Sequence, residues 1–98
     1  MVKGKPEDYT LNPLQAQKEL KIGNFYFKKA TATGYRAAAK RFEEATKWDP
    51  NFAEAYLRLA ETQEKLNNAA AAKAAYRKYL ELAPDAKNAA AVKKKVKS

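Results

Sequence analysis

Cysteine and histidine are both absent from the 98 residues. Without cysteine there are no disulfides and no thiolate metal sites, and the redox compartment leaves no mark on the sequence. Without histidine the commonest general base and the commonest metal ligand are missing. Serine occurs once, as Ser98, with no imidazole to activate it. The three glycines, Gly4, Gly23 and Gly34, stand too far apart to form a phosphate-cradling loop. No apolar run approaches the roughly 18–20 residues that cross a bilayer. The opening MVKGKPEDYT lacks the apolar stretch of a secretory signal. A signal trimmed beforehand would leave no trace, so the compartment stays open between the cytoplasm and, in that case, a bacterial periplasm or cell envelope. Two carboxylate pairs remain for chemistry. Glu43 and Glu44 are adjacent, hence splayed on a helix, and Glu61 and Glu64 share a face that nothing in the sequence buries. No catalytic residue, cofactor or metal is expected, and the chain does not read as an enzyme.

What is present is an apolar fraction of 46%, ordinary for a folded chain and enough for one small domain with a thin core. The formal charge is +9. More than half of the excess sits in residues 87–98, which hold Lys87, Lys93, Lys94, Lys95 and Lys97 and contain no acid. Such a tail suits the C-terminal end of a helix dipole. Lys93, Lys94, Lys95 and Lys97 are the candidates for contact with an anion, whether nucleic acid or an anionic membrane surface.

The chain repeats itself. Ala38 and Ala72 lie 34 residues apart, as do Phe42 and Tyr76, Trp48 and Leu82, and Pro50 and Pro84. A fixed period of this size marks an array built from one supersecondary unit. In the second copy AEAYLRLAETQEKL, residues 53–66, reads as a helix with Tyr56, Leu59, Ala60 and Gln63 on one face. Asn67 suits a left-handed helix end and Asn68 a cap for the next helix. AAAAKAAYRKYLEL, residues 69–82, is helical by propensity, with Ala72, Ala75, Tyr76, Tyr79 and Leu82 inward, and Pro84 ends it. Upstream, Asn12 before Pro13 is a good helix start. Downstream, Asp85 can cap a last helix whose Val92 and Val96 cover the final pair.

Residues 16–86 resemble two tetratricopeptide repeats. The first carries Ile22-Gly23, Tyr26, Ala38, Phe42, Ala45 and Pro50; the second carries Tyr56, Leu59-Ala60, Ala72, Tyr76 and Pro84. Departures are Glu19 at a large-apolar position, Gln63 in place of tyrosine, and Tyr79 in place of alanine. The resemblance implies an all-α fold of antiparallel helix-turn-helix pairs stacked as a short right-handed superhelix of about five helices. It divides the chain into an N-terminal extension (1–12), two units within 13–86 (about 16–52 and 53–86), and a basic capping helix (87–98). Tyr26 to Ala38 exceeds Gln63 to Ala72 by three residues, which predicts a lengthened inter-helix turn at 30–34, in KATATG.

The resemblance also implies a non-catalytic scaffold or adaptor that holds a peptide or partner segment in a concave groove. Its groove positions fall on Gln17, Leu20, Lys21, Asn24, Phe27 and Lys28 of the first repeat. In the second they fall on Glu54, Leu57, Arg58, Glu61, Glu64 and Lys65. Leu20, Phe27 and Leu57 are apolar there, fitting contact with a partner, with the Tyr9–Leu11 segment, or with another copy of the chain. Some relatives clamp a C-terminal carboxylate, but Leu20 and Arg58 replace two residues of that clamp, so that activity is not expected. PLQAQKELKIGNFYFKK and the segments after it are also loosely similar to bacterial outer-membrane assembly lipoproteins. The alternative function is nucleic-acid binding, with Tyr26, Phe27, Lys28, Lys29, Tyr35 and Arg36 interleaving aromatics and cations ahead of the basic tail.

Overall fold

The computed structural model describes residues 9–97, so residues 1–8 of the expected extension and Ser98 lie outside the described residues. Five helices follow in order: α1 (Pro13–Phe27), α2 (Ala32–Trp48), α3 (Ala53–Lys65), α4 (Ala69–Leu82) and α5 (Ala89–Lys97). Each packs on the next along the chain: α1 on α2, α2 on α3, α3 on α4, and α4 on α5. Among the described residues there is no strand. This is the all-α stack of helical hairpins that the repeat implies.

Helix boundaries follow local chemistry. Asn12 caps α1, its side-chain oxygen accepting from the Gln15 N–H at 3.0 Å, and Pro13 takes the first helical position. Asn67 adopts φ 62° after α3, as expected of an asparagine at a left-handed helix end. Asn68 stands at the N-cap of α4, but its side chain turns back and donates to Gln63 Oε1 at 2.9 Å instead of capping.

Two expectations about boundaries are corrected. The turn predicted at 30–34 is not where the extra residues go. The loop between α1 and α2 covers residues 28–31, and Ala32, Thr33 and Gly34 already belong to α2. Thr31 makes this early start feasible by accepting from the Gly34 N–H at 3.0 Å. Gly34 is required by a close approach: a Cβ there would lie 2.8 Å from the Tyr26 carbonyl oxygen. The three additional residues thus form an extra turn of helix. At the other end Asp85 caps nothing. The last helix begins at Ala89, and the chain turns through Pro84–Asn88 first.

The core forms two clusters, each centred on one hairpin and completed by the helix that follows it. Ala16, Leu20, Ala38, Phe42, Ala45 and Ala55 make the first, and Ala60, Ala72, Ala75, Tyr76, Tyr79 and Val92 the second. Leu59 touches both. Gly23 lets α1 sit on Phe42, because a Cβ at Gly23 would come within 2.4 Å of that ring. Glu19, at a position where the pattern wants an apolar side chain, is only 7% exposed. Its carboxylate accepts from Arg41 and from Gln15 Nε2, both at 3.0 Å. Val92 is buried and Val96 packs against the second cluster.

The segment before α1 is tied down. The Asn12 N–H donates to the Trp48 carbonyl at 2.8 Å. Tyr9 meets the Trp48 ring edge-on at 4.6 Å, and its hydroxyl donates to Glu44. That bond to a carboxylate, aided by desolvation, pushes the Tyr9 pKa up to about 12.

Candidate partner-binding groove

α1 and α3 are the first helices of the two hairpins, and α5 follows as the next in line. Of the expected groove residues on α1 and just after it, Gln17, Lys21 and Lys28 are exposed, and Asn24 is half-buried. Phe27 is half-buried against the first cluster and meets the Tyr35 ring edge-on at 5.2 Å. Leu20 is a correction. It is 8% exposed and belongs to the core, so it offers no surface to a partner. On α3, Glu54, Glu64 and Lys65 are exposed, Leu57 is half-buried against the second cluster, and Arg58 pairs with Glu61 at 3.3 Å.

The most organised spot lies where α3, α4 and α5 converge. Glu64 accepts from the Tyr76 hydroxyl at 2.7 Å and from Lys95 Nζ at 3.1 Å. Lys95 Nζ also stands 5.8 Å from the centre of the Tyr76 ring. Partial burial pushes the Glu64 pKa up, but the donors Tyr76 and Lys95 outweigh it and hold the carboxyl below its usual value. Tyr76 moves the other way, raised by burial and then by the carboxylate it serves. Beside this triad opens a cavity of about 480 Å³, lined by Ala69, Ala72 and the Tyr76 ring, with Asn67, Glu64, Lys73 and Lys95 around it. Methyl groups and one ring face make an apolar seat; charges of both signs frame it. Such a seat accepts an apolar side chain beside a polar or charged one.

Sequence reasoning placed Glu64 in the groove but missed Asn67, Ala69, Ala72, Lys73 and Tyr76, since these come from α4 and the loop before it. Lys95 was named as a tail cation, yet it is engaged with Glu64. Lys93 and Lys97 are exposed at the same end. Tyr26 and Phe27 are half-buried against the core and Tyr35, also half-buried, meets Phe27 edge-on, so the aromatics invoked for nucleic-acid stacking are partly engaged within the protein. Among the described residues, no group of three or more acidic, cysteine or histidine side chains could hold a metal ion, and no helix is long and apolar enough to cross a membrane.

Helical hairpins stacked in register, with a small-residue seam at Gly23 and Ala60 and aromatic wedges at Phe42 and Tyr76, define a helical repeat protein. The family profile described as tetratricopeptide repeat matches residues 34–96, well over half of the chain, and the protein belongs to that family. A comparison with curated proteins finds no match. The looser likeness to outer-membrane assembly lipoproteins therefore rests on the residues quoted for it and nothing more. Members of the family generally mediate protein–protein interactions and are typically non-catalytic scaffolds.

Proposed function

We propose that the protein is a non-catalytic adaptor that binds an extended or helical segment of a partner protein along the first helices of its hairpins. The carrying observation is the cavity between α3, α4 and α5, apolar at its floor and framed by Glu64, Lys73 and Lys95. Exposed groove residues of both signs, Lys21 and Lys28 on one hairpin and Glu54 and Lys65 on the other, would set the register of the bound segment. The absence of histidine and cysteine supports a binding role over catalysis.

The test is selection of binders from a displayed peptide library against the full chain, followed by affinity measurement on two variants. Ala69→Trp fills the mouth of the cavity from an exposed position, and Lys21→Glu reverses a groove charge far from it. Selected peptides should lose about tenfold or more in affinity on Ala69→Trp. Peptides that bind both variants as tightly as the parent would rule the groove out.

A further inference from the structure

α1 is apolar on two sides. Its inner side supplies Ala16, Leu20 and Gly23 to the first hairpin. Its outer side carries a second stripe at helical spacing: Leu14, Lys18, Ile22 and Phe25, continued by Lys29 just past the helix end, with the groove residue Lys21 on its border. Leu14 is 73% exposed, Phe25 56% and Ile22 36%, among the few large apolar side chains left in water by the described residues. Lys29 Nζ sits 4.5 Å from the centre of the Phe25 ring.

The internal repeat says what this side is for. Gly23 and Ala60 hold the same register position, so Lys18, Ile22 and Phe25 of α1 correspond to Ala55, Leu59 and Thr62 of α3. On α3 these residues are covered. Ala55 and Thr62 are fully buried, and Ala55 joins Phe42 and Ala45 of α2 in one cluster to which Leu59 also packs. The outer side of α1 is thus a copy of the surface on which a preceding helix lies, continuous with the stacking that joins α2 to α3, and no described helix covers it.

We propose that the outer face of α1 docks an amphipathic helix of a partner protein with small or apolar residues toward Leu14, Ile22 and Phe25 and acidic residues at its flanks. Charge selects this occupant. Every exposed charge from Pro13 to Lys29 is a cation (Lys18, Lys21, Lys28 and Lys29), while the one acid, Glu19, is buried against Arg41. A second copy of the chain brings the wrong sign: its helix of the required kind, α2, has four basic and two acidic residues, and its other end carries the lysines of α5. An anionic membrane fits less well, because Lys18 stands within the apolar stripe, whereas a helix lying in a bilayer interface separates the two faces.

The probe is a synthetic peptide of the α2 sequence, Ala32 to Trp48, carrying Arg36→Glu, Lys40→Glu, Arg41→Glu and Lys47→Glu; the unaltered peptide is its basic counterpart. The full chain should bind the acidic peptide about tenfold or more tightly than the basic one, in a salt-sensitive manner. Leu14→Ser with Phe25→Ser should remove that binding while leaving the circular dichroism spectrum and melting temperature unchanged, since both side chains are exposed. The Ala69→Trp variant should bind the acidic peptide like the parent, which separates this surface from the groove. No binding of the acidic peptide, no preference over the basic one, or binding that survives the double substitution overturns the proposal. So does a dimer seen by sedimentation that the double substitution abolishes, which would make the occupant a second copy. Adsorption to phosphatidylserine vesicles lost in the same variant, without peptide binding, would make it a membrane.

Discussion

Glu19 stands where the repeat pattern asks for a large apolar side chain, and the fold accepts it because Arg41 reaches across from α2. The arginine is 43% exposed at its side chain while the carboxylate is 9% exposed, so most of the desolvation falls on the acid. Removing the arginine strands a buried acceptor, which costs about 1–3 kcal/mol. Arg41→Ala should therefore lower the melting temperature by about 4–8 °C for each kcal/mol lost. Glu19→Leu, which restores the apolar pattern and leaves Arg41 free to face water, should leave stability unchanged or raised. Thermal unfolding followed by circular dichroism checks both, and equal losses in the two variants would contradict this account. Single residues were legible in sequence where their role is steric and local. Gly23 could be read as a close-approach position because a mid-helix glycine needs a packing reason. Leu20 could not be placed, because a helix apolar on two sides has no unique inward direction.

α5 is the shortest helix, nine residues, and side-chain bonds help to hold it. Asn88 at its start accepts from the Tyr79 hydroxyl at 2.8 Å, and Lys95 in its last turn pairs with Glu64. A tyrosine where the family usually has alanine thus serves as an anchor of α5. The Glu64 carboxyl is held below its usual pKa in the folded state, so its contribution is full above the unfolded carboxylate pKa and is lost as pH falls through the folded value. Amide-exchange protection factors across Ala89–Lys97 should fall on acidification more than those in α1 and α2. Glu64→Gln should show low protection in α5 already at neutral pH and little further change in acid. A wild-type profile without this step would mean that Val92 alone docks the helix. At this scale the pairing of helices was legible from the period, but boundaries were less so. Thr33 and Gly34 read as breakers, yet Thr31 caps ahead of them and the helix runs through both; Asp85 had the chemistry of a cap, yet the chain turns on to Asn88 before the helix begins.

Across the whole molecule 20 basic residues face 11 acidic ones, and the excess is spread over both ends. Self-repulsion of this kind opposes compaction and is screened over about 8 Å at physiological ionic strength. The melting temperature should rise by a few degrees between about 0.02 and 0.3 M sodium chloride; a fall would mean that ion pairs such as Glu19–Arg41 outweigh the net charge. The fold as a whole was readable because a repeat states its packing twice, whereas the cavity beside α4 depends on how side chains of three helices meet, which no pair of repeated residues encodes. The stitch from Asn12 to Trp48 bears on order in time. Every partner in that closure, Tyr9, Asn12, Glu44 and Trp48, is synthesised before α3 begins. The leading hairpin can fasten these contacts while the remainder of the chain is still within the ribosome, and its core cluster is completed when Ala55 of α3 joins it.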